Sequence, residues 1–147
     1  MIKDLNKRFR VDVVKAPSTD AEIAELIKFS PIPVPEFYLE MSWQGSDFEI
    51  LVDNEMYIRF WGAAGCLEMN PAYLIQETFG ACLAIGDDEG GQAFILSPQS
   101  KNFPSGLYVV SFACTGLKDG TYIAESLEDL LINGTGAERI YNWWKLK

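Results

Sequence analysis

The apolar run Ala81-Cys82-Leu83-Ala84-Ile85 carries no charge and leads into a turn of acids and glycines, Gly86-Asp87-Asp88-Glu89-Gly90-Gly91. A second apolar run, Ala93-Phe94-Ile95-Leu96, leaves it. Two short apolar runs bounded by a Gly/Asp cluster read as two strands joined by a tight connection. Gly86, Gly90 and Gly91 supply backbone that accepts positive φ, which a sharp reversal needs. The rest of the chain has to be fitted around this pair of strands.

Ahead of it, Phe9-Arg10-Val11-Asp12-Val13-Val14-Lys15 partly alternates and reads as an edge strand. Thr19-Asp20-Ala21-Glu22 has the form of a capping box. Ile23, Leu26 and Ile27 then share one helical face, so a helix is expected over about 20–29. Pro31, Pro33 and Pro35 end it and force an extended connector, with Ile32 and Val34 buried. Pro35 suits the first turn of a second helix, whose apolar side is Phe37, Tyr38, Met41, Ser42 and Trp43 and which Gly45 stops. The runs 48–52 and 56–61 flank Asp53-Asn54-Glu55 and read as a hairpin with a three-residue loop. Two short helical pieces are expected around 64–70 and 72–79, split by Asn70-Pro71.

Beyond the central pair, Phe103-Pro104-Ser105-Gly106 is a turn, and the run 107–113 is the most strand-like in the chain. After a further turn at 117–121, Tyr122-Ile123-Ala124 leads to Ser126, which with Asp129 has the form of a helix start. Leu127, Leu130 and Leu131 line that helix and Asn133-Gly134 ends it. A last short helix is expected over 137–145, with Ile140, Trp143 and Trp144 packing and Lys145 and Lys147 at its C-terminal end. Helices, then strands, then helices make an α+β fold: a mainly antiparallel sheet with flanking helices, in a single domain over 1–147.

The charge is uneven. Residues 1–15 carry +3 and residues 16–147 carry −12. An acidic body repels phosphate backbones, so no direct nucleic-acid contact is expected; it attracts basic proteins, nucleases included. No apolar run approaches the roughly 18 residues of a membrane helix, and the first residues have no apolar signal region. The expectation is a cytoplasmic protein with no membrane contact. Cys66, Cys82 and Cys114 are odd in number and scattered, which reads as buried small hydrophobes rather than a disulfide framework. The chain has no histidine, which removes Ser-His and Cys-His pairs and histidine metal motifs. No catalytic residue, metal or cofactor is expected.

Asp87, Asp88 and Glu89 do not make an EF-hand, because position twelve counted from Asp87 is Pro98 rather than glutamate. They read either as capping carboxylates of a solvated turn or as part of an acidic partner-binding surface. Asn70 reads as a turn cap, while Trp61, Tyr73, Trp143 and Trp144 are core aromatics or interface anchors.

Taken together, these segments resemble the SMI1/KNR4 family of the SUKH superfamily, over about residues 19–133. Val34-Pro35-Glu36-Phe37-Tyr38 is similar to its Leu-Pro-x-x-Tyr signature, with valine for leucine. Gln44-Gly45-Ser46 stands where the family has Asn-Gly-Gly, a departure. Asn70 and Tyr73 look like the family's central Asn and Tyr. Ile85-Gly86-Asp87-Asp88-Glu89-Gly90-Gly91 resembles its Ile-Gly-Asp-(Asp)-Gly-Gly, and the run 123–130 resembles Ile-Ala-x-Ser-Phe-x-x-Leu. The resemblance implies a non-enzymatic protein-binding module of the immunity type, which neutralises a basic, for instance nuclease, toxin domain. The partner-binding residues would be Asp87, Asp88, Glu89, Asn70, Tyr73 and Trp61. The alternatives are a regulatory or scaffolding module with another protein partner, and a small ligand-binding domain using the acidic turn.

Overall fold

Seven strands pair in the order in which the chain makes them, each antiparallel to the next. They are β1 (Phe9–Lys15), β2 (Ser46–Val52), β3 (Met56–Phe60), β4 (Leu83–Asp87), β5 (Gln92–Ser97), β6 (Gly106–Ser111) and β7 (Thr121–Ala124). The computed structural model describes residues 4–142, so Trp143, Trp144, Lys145 and Lys147 lie outside the described residues. Among the described residues, six α-helices join and cover the strands: α1 (Asp20–Phe29), α2 (Glu36–Gln44), α3 (Ala63–Ala72), α4 (Ile75–Phe79), α5 (Leu127–Asn133) and α6 (Ala137–Asn142). The protein is α+β, as expected.

Burial follows the sequence pattern strand by strand. On β2 and β3, Phe48, Ile50, Val52, Ile58 and Phe60 are buried, while Glu49, Leu51, Tyr57 and Arg59 on the other face meet solvent. Alternation of this kind means one covered face and one open face. Strands β4 to β6 are buried on both faces, which is why 81–85 and 93–96 read as continuous apolar runs. The sheet is therefore half-open on one side, at its β1–β3 end.

Local signals place several ends. Thr19 Oγ1 accepts the Glu22 N–H at 3.1 Å, and Glu22 Oε1 accepts the Thr19 N–H at 2.9 Å, so the capping box of α1 is complete. Ser126 accepts the Asp129 N–H at 2.9 Å at the start of α5, and Gly134, with φ 78°, ends it. The β2–β3 loop is Asp53-Asn54-Glu55, with φ 50° at Asp53 and 55° at Asn54.

Other expectations need correction. Pro71 does not split its region: α3 runs through it to Ala72, and the break falls at Leu74, which adopts left-handed φ 53°. Pro71 costs α3 one backbone hydrogen bond near its C-terminal end, and the Asn70 amide, bonded to its surroundings, outweighs the local preference. Tyr122-Ile123-Ala124 is not a mere lead-in but part of the seventh strand. Ile27 and Trp43, read as core-facing, are exposed at 50% and 47%. Ile23 and Leu26 already fill the narrow contact that a ten-residue helix makes. Cys66 and Cys82 are buried as expected, but Cys114 sits half-buried beyond β6.

Helices α5 and α6 return to the segment that leads into β1. The Asn6 N–H donates to Leu131 O at 2.8 Å. Arg8 grips the Asp53 carboxylate of the β2–β3 loop at 2.8 and 2.6 Å and reaches Glu138 of α6 at 3.1 Å. Tyr141 of α6 donates to the same Asp53 at 2.7 Å. Helices α5 and α6 thus tie β7, the last strand of the sheet, to β1 and β2 at the other end.

Candidate functional site

Phe60, Gly86 and Phe94 lie side by side on β3, β4 and β5. A Cβ on Gly86 would stand 2.3 Å from Arg59 O and 2.9 Å from the Phe60 ring. With none there, the two phenylalanine rings meet across the glycine at 5.5 Å. Gly86 is thus needed for close approach, not for positive φ. In the turn itself only Gly91, at φ 117°, and Glu89, at φ 60°, take positive φ; Gly90 does not.

The packing that seats Gly86 fixes Asp87 one residue on. Asp87 is 5% exposed. Its Oδ2 accepts the Trp61 indole N–H at 2.9 Å and the Arg59 guanidinium at 3.1 Å, and its Oδ1 accepts the Glu89 N–H at 2.9 Å. Asp88 Oδ1 accepts the N–H groups of Gly90 at 2.9 Å and Gln92 at 3.0 Å. Asp88 therefore closes the turn, and Asp87 divides its carboxylate between the turn and the side chains of Arg59 and Trp61. Glu89 alone is turned out to solvent.

Asn70 is fully buried and uses every hydrogen-bonding position of its amide. Its Nδ2 donates to Cys66 O and Ala84 O, each at 2.9 Å. Its Oδ1 accepts the Ala84 N–H at 2.9 Å and Gln76 Nε2 at 3.0 Å. Pairing of β3 with β4 ends near Phe60↔Gly86. Beyond that point the Asn70 side chain stands in for a strand, satisfying both backbone groups of Ala84. Tyr38 closes the set: its hydroxyl donates to Trp61 O at 2.5 Å and lies 2.9 Å from Cys66 Sγ. Burial pushes the Tyr38 phenol well up and the Cys66 thiol up to about 12, so both stay protonated.

Four residues singled out by sequence, Tyr38, Trp61, Asn70 and Asp87, thus belong to one buried scaffold around β4. As partner-binding residues Trp61, at 3% exposure, and Asn70, fully buried, need correction: they lie beneath the surface and set it, while Asp87, 5% exposed, reaches the surface only as part of the lining of an open bowl. Tyr73 is different. It is 43% exposed and its ring stacks on Phe112 with centroids 4.0 Å apart.

Sequence reasoning missed the neighbours that complete this surface. Glu49 pairs across the hairpin with Arg59, and its negative charge acts on the Glu89 carboxyl. Burial first, then the Glu49 charge, raises the Glu89 carboxyl above its usual range. Burial lowers the Arg59 guanidinium, but Asp87, then Glu89 and Asp47, outweigh it and hold it charged. The signal that could have found them is Arg59 itself, a lone cation in the apolar strand Met56–Phe60. Arg59, Tyr73, Glu89, Gly90, Gly91 and Phe112 line one open bowl of about 400 Å³.

Among the described residues, no group of three or more Cys, Asp or Glu side chains is placed to hold a metal ion, and no helix is long and apolar enough to cross a membrane. Compared with protein-family models and with curated proteins, the chain matches none.

Proposed function

We propose that the chain is a non-enzymatic protein-binding module of the SMI1/KNR4 kind, which neutralises a basic toxin domain by occupying its positive surface. One observation carries this reading. Tyr38, Asn70 and Asp87, which carry the resemblance, are all committed to a rigid interior around β4. What that interior presents outward is acidic and aromatic: Glu89 beside Glu49, and Tyr73 backed by Phe112. Rigid aromatic groups ringed by complementary charge are the usual makings of a binding hot spot. The −12 carried by residues 16–147 adds long-range attraction towards a positive partner.

The test is binding kinetics with the product of the neighbouring gene across a salt series. Association is expected to slow as salt passes about 0.15 M, where screening acts over roughly 8 Å. Dissociation should change much less, because desolvated contacts set it. No binding, or an on-rate indifferent to salt, defeats this reading and puts the regulatory-module reading in its place.

A further inference from the structure

The bowl beside the β4–β5 turn has the chemistry of a receptor for one kind of side chain. Its wall is a fixed aromatic plate: Phe112 supports one face of Tyr73 at 4.0 Å, and Tyr73 remains 43% exposed. Its rim carries Glu89, near enough to Glu49 for the two charges to act on each other. Two carboxylates this close repel when both are ionised, and a cation lying between them removes the repulsion. Arg59, which lines the same bowl and acts on Glu89, supplies that charge only in part. Its guanidinium is engaged by Asp87 at 3.1 Å, and its Nε is buried.

The floor is bare. At Gly90 a Cβ would meet nothing closer than 3.5 Å, and at Gly91 nothing within 4 Å. Gly90 also lacks positive φ, so the fold does not require glycine there. The missing side chain keeps the bowl open.

Resting on the reading of the chain as a binder of basic proteins, we propose that the partner anchors in this bowl through one arginine, its guanidinium lying on Tyr73 and pairing with Glu89 and Glu49. Charge complementarity selects a cation, and the plate selects among cations. A planar guanidinium stacks on an aromatic face and bonds a carboxylate with two parallel N–H groups. A lysine ammonium is a compact, strongly hydrated point charge and does neither as well.

The probe is a fluorescein-labelled hexa-arginine peptide compared with hexa-lysine, read by fluorescence anisotropy at about 0.15 M salt, where the protein's general acidity is damped. The arginine peptide is expected to bind on the order of tenfold more tightly, a difference of about 1.4 kcal/mol. Tyr73→Ala and Gly90→Leu should each abolish that preference. Glu40→Gln with Glu68→Gln removes two exposed charges elsewhere and should weaken both peptides alike, leaving the preference intact. Gly90→Leu fills open space, so its unchanged melting temperature separates a blocked bowl from a damaged fold. Equal affinity for the two peptides, no binding of either, or a preference that survives Gly90→Leu overturns the arginine anchor. None of these bears on the basic-partner reading, which stands or falls on the salt series with the neighbouring product.

Discussion

Asn70 is the residue on which the interior polar network turns. One amide bonds the backbone of Ala84 in both directions, the first turn of α3 through Cys66 O, and Gln76 near the start of α4. Asn70→Ala leaves several buried groups without partners, each costing about 1–3 kcal/mol. Some will relax, so a total loss of about 2–4 kcal/mol is expected, read from the shift of the urea midpoint at constant slope. Asp88→Asn is the contrast. It keeps the oxygen that accepts from Gly90 and Gln92, and it should change stability by less than about 0.5 kcal/mol. If the two variants unfold alike, the Asn70 amide is not acting as a substitute strand.

At the scale of the element, the β4–β5 hairpin contains three glycines with three different physical roles. Gly86 is a close-approach position, where a methyl group would run into Arg59 O, a backbone atom that cannot step aside. Gly91 is a conformational position, held at φ 117°. Gly90 is neither. Melting temperatures should therefore rank the variants. Gly86→Ala is expected to lose at least about 2 kcal/mol by overpacking, Gly91→Val about 1–3 kcal/mol by backbone strain, and Gly90→Val within about 0.5 kcal/mol. Equal losses at 90 and 91 would contradict the turn geometry. The same hairpin explains why three adjacent acids are not equivalent. Asp87 and Asp88 accept backbone N–H groups, whereas Glu89, strained at φ 60°, is the one presented to solvent.

Over the whole molecule, the sheet has an open edge at β1, and the fold is closed by the contact of α5 and α6 with Arg8 and the β2–β3 loop. Asp53 sits at the centre of that contact. The Arg8 hydrogen bonds, opposed by partial burial and aided by the Tyr141 hydroxyl, hold its carboxyl below its usual range. A carboxyl depressed in the folded state stabilises the protein above its unfolded pKa, and that contribution is lost as pH falls through the folded pKa. Asp53→Asn should therefore cost about 1.5–3 kcal/mol at neutral pH, the range for hydrogen bonds to a charged group. The gap between variant and wild type should narrow as pH falls below about 4. Urea midpoints measured from pH 7 to pH 2 check this, and a gap that stays constant would show that Asp53 acts by shape rather than by charge.

The sequence by itself determined what depends on near neighbours in the chain. The Thr19–Glu22 capping box, the Ser126 cap, the Gly134 stop and the Asp53-Asn54-Glu55 loop all join residues a few positions apart, so residue type alone selects them. The tight connections at 53–55 and 86–91, with helices before and after the strands, likewise foretold a mainly antiparallel sheet and the α+β class. Which polar groups point inward is set by packing between segments far apart in the chain. That packing carried α3 through Pro71 because Asn70 had a strand to bond, turned Trp43 and Ile27 outward, and gave the lone cation Arg59 to Asp87. It also placed Glu49 against Glu89 and Tyr73 on Phe112, pairs that lie 40 and 39 positions apart in the chain. Such pairs are set by strand register and by what packs opposite, and no local pattern of residues encodes either.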